Sequence, residues 1–357
     1  MNTRLGNCKL FVDAFCEVRD FVTAWTDAEF CDFGQAEIEP GSVYLISRQQ
    51  FELHINLIKQ LAQDRTILPI LGNPAEGSET MRLQMQRMGI VELVQAGKIV
   101  VVAGGYMAPD IPVLYYENFL PKILDYAENL QAIEQYQQQY STTRPYKFLF
   151  LNGRARLHRR YLLDRLQPIL DQAIWTNLDN THGHAIRLLD PQYEFDFYKQ
   201  NTQANYNGFA KYELFNNDWG EIYLNAAPYL DTHFSLVTET VFNYPYSFRT
   251  EKIWKPIAIG HPFIAVANSG YYQDLHDLGF RTFDHLIDES FDCIDDNVKR
   301  LERIADEVEW LCQQDLAKFT QVSYNICKYN QQLLAELGPQ IRASFPNQFE
   351  QYINERS

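Results

Sequence analysis

FSLVTETVF, residues 234–242, and FRTEKIWKPIAIGHPFIAVANSGYYQDLHDLGF, residues 248–280, decide how the chain is read. The first segment is an apolar strand that carries Thr-Glu-Thr. After a loop, Thr250 opens an apolar helix that ends at Gly260, and HPFIAVA forms the next strand. This order sets Glu251 and Lys252 at a helix N-terminus. Backbone N–H groups there lack helical partners and the helix dipole is positive. A phosphate can dock with Lys252 as its counter-charge, while Glu251 accepts hydrogen bonds from ribose hydroxyls. A plainer alternative stays open, in which Thr250 is an ordinary N-cap and Glu251 and Lys252 are solvated residues of the first turn. Pro256 weighs against it, because a Pro that deep in a helix costs about 3 kcal/mol unless a kink is wanted.

A second stretch, KFLFLNGRARLHRRYLLDRL at 147–166, has the same grammar. A buried strand breaks at Asn152-Gly153 and becomes a helix with Leu157, Tyr161, Leu162 and Leu166 on its apolar side. Arg154, Arg156, His158, Arg159 and Arg160 crowd the turn and first helical residues of an otherwise acidic chain. Arg offers a planar fork suited to bidentate phosphate contacts. The alternative is a solvated face with ion pairs to Asp164 and Asp171, which suits Arg159 and Arg160 better than Arg154.

Thr250-Glu251-Lys252, followed by an apolar helix, a Gly and a Pro-containing strand, resembles the donor-site signature of the α1,3-fucosyltransferases and related GT-B glycosyltransferases. The resemblance covers roughly a third of the chain, and Glu239-Thr240 stands where that group carries Glu-Asn. It implies two Rossmann-like α/β domains facing across a cleft, with Lys252 on the donor phosphates and Glu251 on the ribose. Arg154 or Arg156 matches the place of an Arg that contacts the donor diphosphate. The implied donor-binding set is Arg154, Arg156, Glu239, Thr250, Glu251 and Lys252. The implied activity is inverting, metal-independent sugar transfer from a nucleotide-sugar to a glycan or other hydroxyl acceptor. The nucleotide-sugar enters as substrate, with no separate cofactor.

The residues themselves read as two α/β halves. KLFVDAF, SVYLISR, ILPILGN and KIVVVAGG alternate with the helical stretches QFELHINLIKQLAQ and ETMRLQMQRMGIVELVQA, which argues for a parallel sheet. The polar, Gln-rich segment at about 130–146 closes with a Pro and reads as a connection between domains. The expected division is 1–145 for an acceptor-side domain and 146–357 for a nucleotide-sugar-binding domain. QAIWTNL, HAIRLL and the strands from Phe234 and His261 fall in the second. Its end carries Val298, Leu301, Ile304, Ala305, Val308 and Leu311 on one helical stripe, and the tail near Tyr352 can return to the first domain.

Acceptor activation needs a base at a strand end of the first domain. Asp13 after KLFV and Asp110 after VVVAGGYMAP are the candidates, with Glu76 in GNPAEG a third, although an acid in such a place also serves as a cap or turn former. Asp179, His182 and His184 in LDNTHGH lack a fourth partner for a metal, and Asp284, Asp288, Asp295 and Asp296 read as capping or solvated acids. The six cysteines show no paired metal spacing and are expected to be reduced.

A chain of 357 residues that is 46% hydrophobic is long enough for two compact domains. No apolar run reaches the ~20 residues that cross a bilayer, and the N-terminus lacks a signal-peptide pattern, so a soluble cytoplasmic protein is expected. A net charge of −15 opposes nucleic acid as a partner and leaves a modified DNA base only as a secondary acceptor. Two other readings stay open. A nucleotide- or carbohydrate-binding protein of this fold keeps Lys252 and Arg154 without a base, and a structural or interaction protein needs neither.

Overall fold

The computed structural model describes residues 9–13, 28–74, 78–105, 111–153, 156–177, 203–204 and 222–355. The chain divides into two compact units, 1–121 with 338–357, and 122–337.

The first unit holds a six-stranded parallel sheet of β1 (Leu10–Asp13), β2 (Glu29–Cys31), β3 (Val43–Ser47), β4 (Leu68–Asn73), β5 (Val100–Ala103) and β6 (Leu114–Tyr115), in the order β2-β1-β3-β4-β5-β6. The inner strands β1, β3, β4 and β5 are near-continuous apolar runs because both of their faces are covered. Val12, Leu45, Ile70 and Val102 pack on one side with Phe345, Phe349 and Ile353 near the end of the chain, and Tyr352 lies against the same cluster. Tyr44, Ile46, Leu71 and Val101 face the other way, onto Phe51, Ile58, Met85 and Val94. Those four come from α1 (Arg48–Leu53), α2 (Ile55–Gln63), α3 (Ser78–Met88) and α4 (Val91–Gln95). The two long helical stretches expected here each break once. The first breaks at His54, and the second at Gly89, whose φ of 63° ends a helix at low cost.

The second unit holds a five-stranded sheet of β7 (Tyr146–Asn152), β8 (Ala173–Asn177), β9 (Gln203–Ala204), β10 (Thr232–Thr238) and β11 (Phe263–Val266). The order is β11-β10-β7-β8-β9, parallel except for β9 against β8. From β7 the chain places β8 on one side and β10 on the other. The strand order therefore reverses between β7 and β10, the place where open α/β sheets bind ligands beyond their carboxyl ends. Its helices are α5 (Ala127–Gln138), α6 (Leu157–Arg165), α7 (Ala226–Leu230), α8 (Glu251–Ile259), α9 (Tyr271–Asp277), α10 (Asn297–Leu311) and α11 (Leu316–Asn354), the last contributing its residues from Gly338 onward to the first unit. Leu301, Ile304, Ala305, Val308 and Leu311 are the buried stripe of α10, with Val298 half-buried.

The Gln-rich segment departs from its expected role as a connection. Residues 127–138 form α5, which buries Asn129, Ala132 and Tyr136 at helical spacing while its glutamines face outward. Asn129 donates to the Ile123 and Ile222 carbonyls and accepts from the Leu224 N–H. Arg144 donates to the Tyr229 and Thr232 carbonyls and to the Tyr136 hydroxyl. These bonds hold α5 in the second unit, so the chain divides after Pro121, ahead of the expected place near residue 145. The expected strand HAIRLL lies outside the described residues. Together the two sheets and their helices give an α/β Rossmann-like layout in each unit. Among the described residues no helix is long and apolar enough to cross a membrane, and Cys31, Cys293, Cys312 and Cys327 are free thiols.

Candidate functional site

The carboxyl ends of β7 and β10 gather most of the described residues singled out above. Glu239 directly follows β10 and is fully buried. Its Oε1 accepts from the Thr250 N–H at 3.1 Å and the Tyr271 hydroxyl at 2.8 Å, and its Oε2 accepts from the Thr250 hydroxyl at 2.6 Å and the Thr240 N–H at 3.3 Å. Burial pushes this carboxyl above its ordinary range, against the pull of the Lys252 charge and the Thr250 hydrogen bonds. Glu239 thus anchors the start of the helix.

Thr250 caps α8, its hydroxyl accepting from the Lys252 N–H. The alternative in which Thr250 is an N-cap is therefore realised in the geometry, but the solvated first turn is not. Glu251 is 5% exposed, and its carboxylate pairs with the Lys252 ammonium, whose side chain is 27% exposed. Burial works to raise the Glu251 carboxyl. The Lys252 and Lys255 charges and hydrogen bonds outweigh burial and hold it below the usual carboxylate range. An ionised acceptor and a half-buried ammonium therefore stand side by side at a positive helix end. Pro256 removes the N–H that would bond the Lys252 carbonyl. Gly260 closes the helix at φ 84°, where a Cβ would also lie 2.8 Å from the Gln331 side chain.

On the β7 side, Arg156 is the N-cap residue of α6, itself half-buried. His158 is buried, stacks on Phe242 at 5.3 Å, and donates from Nε2 to the Glu239 carbonyl at 3.0 Å. Burial, with Arg159 beside it, pushes the imidazole far below its ordinary range, so it is neutral. Arg159 is 3% exposed and donates to the Thr238 and Glu239 carbonyls at 2.9 and 3.2 Å. The alternative in which Arg159 lies on a solvated face does not hold: its guanidinium ties α6 to the end of β10. Arg160 does keep an ion pair, with Asp164 at 3.4 Å.

Arg300 completes the frame. It is buried, lies over the Phe242 ring at 4.4 Å, and donates to the carbonyls of Ala267, Ile294 and Phe242. Burial lowers its value to about 10. The sequence marked neither Arg300 nor Tyr271 nor the locking of Glu239 to Thr250, because each is a contact between positions far apart in the chain. One signal was available: a Glu at the end of an apolar strand calls for buried partners.

Elsewhere, Asp13 ends β1 and is buried. Its Oδ2 accepts from the Ser47 N–H at 3.1 Å and from the Ser47 hydroxyl, and Ser47 is the N-cap of α1. These bonds tie the end of β1 to the cap residue of α1. Asp110, Arg154, Glu76, Asp179, His182 and His184 lie outside the described residues. Asp296 and Asp288 cap the starts of α10 and of the 3-10 turn at Glu289–Cys293. Among the described residues no group of three or more His, Cys, Asp or Glu is arranged to hold a metal ion.

The arrangement can bind an oxyanion: two nine-residue helices begin at the strand-order reversal, one with Lys252 and one with Arg156 in its cap region. No protein-family model matches the chain, and comparison with curated proteins and with solved structures found no significant similarity.

Proposed function

We propose that the chain is a nucleotide-sugar-dependent glycosyltransferase of GT-B-like organisation, its second unit binding the donor and its first unit the acceptor. The observation that carries the donor site is the joint anchoring of the α8 start: Glu239 fixes Thr250, and Thr250 presents Glu251 and Lys252 at the carboxyl end of β10. Phosphate oxygens would take first-turn N–H groups that the Thr250 cap leaves open, together with the Lys252 ammonium, and the ionised Glu251 would accept from the ribose. Arg156 adds a fork from the opposite helix, with Arg154 as a further donor in the same segment.

Transfer, inversion and independence from metal rest on the resemblance of the Thr-Glu-Lys region to the α1,3-fucosyltransferase group. In that mechanism the acceptor hydroxyl attacks the anomeric carbon, the bond to the diphosphate breaks, and Lys252 and Arg154 take up the developing negative charge. The acceptor proton goes to a carboxylate of the first unit, with Asp13 and Asp110 as the candidates. The two hydrogen bonds from Ser47 favour a positioning role for Asp13. This same observation favours a second reading, a nucleotide-binding protein of this fold without turnover.

A thermal-shift screen against UDP, GDP, dTDP and CMP tests the donor site. Stabilisation by one of these nucleotides over the others is expected. No stabilisation by any of them would leave the structural or interaction reading in place.

A further inference from the structure

We propose that the side-chain amide of Asn152 donates a hydrogen bond to a phosphate oxygen of a ligand seated where β7 and β10 diverge; this deepens the nucleotide reading and rests on it. Asn152 is the last residue of β7 and is 1% exposed. Neighbouring strands occupy most of its polar atoms. Its N–H donates to Thr176 Oγ1 at 2.9 Å, and its Oδ1 accepts from Thr238 Oγ1 at 2.8 Å. Its Nδ2 has no hydrogen-bond partner among the described residues.

A buried donor without a partner runs against the rule that native interiors satisfy such groups. With the Thr238 hydroxyl donating to Oδ1, the NH2 group is turned elsewhere. An NH2 group only donates, so its missing partner is an acceptor. The setting specifies the acceptor further. Asn152 lies four residues before the Arg156 cap of α6, and Thr238 immediately precedes Glu239, which fixes the start of α8. Two positive helix ends with Lys252 and Arg156 favour an acceptor that carries negative charge and offers no competing proton, and a phosphate oxygen is such a group.

Two other buried atoms contrast with it. Trp254 Nε1 also lacks a partner among the described residues, but it lies within α8 against Phe280, in the core. Asn268 Oδ1, beyond β11, is an acceptor and has nothing to offer an anion.

The test is calorimetric titration of the full chain with inorganic pyrophosphate and with UDP, GDP and dTDP. Wild type is compared with Asn152→Asp, with Lys252→Ala, and with the double variant Asn152→Leu/Thr238→Val. The double variant removes both partners of one hydrogen bond together with the unpartnered donor, so its unliganded melting midpoint is expected at or above wild type. Affinity for pyrophosphate is expected to fall about tenfold or more in both Asn152 variants. In asparagine-15N-labelled protein, the side-chain amide resonance missing from Asn152→Asp should move when pyrophosphate is added to wild type. Asn152→Asp keeps an acceptor for Thr238 and decides the matter if the double variant does not fold.

Unchanged pyrophosphate affinity in a folded variant, with an unmoved resonance, overturns the role of Asn152. The nucleotide reading survives that result if a nucleoside diphosphate binds wild type and Lys252→Ala weakens it. Pyrophosphate binding that depends on Asn152, without binding of any nucleoside diphosphate, keeps the amide as an anion donor and removes the nucleotide reading. No binding of either class to wild type overturns both.

Discussion

Glu239 holds Thr250 by both its carboxyl oxygens, taking the backbone N–H at 3.1 Å on one and the hydroxyl at 2.6 Å on the other. The end of β10 is thereby fastened to the start of α8 across the loop that joins them. A ligand that docks on the first turn of α8 meets N–H groups already fixed in place.

Glu239→Gln keeps the size of the side chain but turns an NH2 group toward hydroxyls and N–H groups that donate. It is expected to cost about 1–3 kcal/mol. Thermal unfolding should show the loss, together with weaker nucleotide binding. A variant as stable as wild type would mean that Glu239 does not anchor the helix.

Glu289 gives the second unit a pH dependence. Burial pushes its carboxyl up to about 7 from 4.5, helped by the charges of Asp284 and Asp292 and opposed by hydrogen bonds from Thr282 and Phe283. A folded-state value above the unfolded one means that the native protein holds the proton more tightly. The stabilisation from this site is full below about pH 4.5 and is lost as pH rises through about 7. Glu289→Gln should remove a pH-dependent difference on the order of 3 kcal/mol between pH 4.5 and 8. Parallel stability profiles for variant and wild type over that range would contradict this.

Asp13 is expected to act on stability before chemistry. Asp13→Ala strips both Ser47 hydrogen bonds from a buried site and should cost about 1–3 kcal/mol. Asp13→Asn keeps an acceptor oxygen and should cost less. If Asp13→Asn abolished sugar transfer while the protein melted like wild type and still bound nucleotide, Asp13 would be the base after all.

Much of the fold was legible, because parallel strands buried on both faces are long apolar runs and their punctuation is local. Gly260 and the Thr250 cap are readable from three or four residues. The short edge strands β2 and β6 were not legible: their few residues carry no period. The helix α5 was hidden by its glutamines, since three buried positions in a polar segment make a weak stripe. In the site, Thr250, Glu251 and Lys252 were visible as a motif. The roles of Arg159, Tyr271 and Asn152 depend on what β10 and α8 bring beside them, and no local pattern carries that.

Metal independence has a direct assay. With the nucleotide that stabilises the protein supplied as its sugar conjugate, donor hydrolysis or transfer is expected to continue in excess EDTA. Activity that vanished with EDTA and returned with magnesium or manganese would assign charge neutralisation to an ion instead of to Arg154 and Lys252.

If an anionic nucleotide sits at the start of α8, calorimetric titration of nucleoside diphosphate into wild type and Lys252→Ala will show it. Removing a charge-assisted phosphate contact should weaken binding by about 1.5–3 kcal/mol, with the variant still folded. Equal affinity in the two proteins would place the nucleotide elsewhere or nowhere, and the reading of this site would fall.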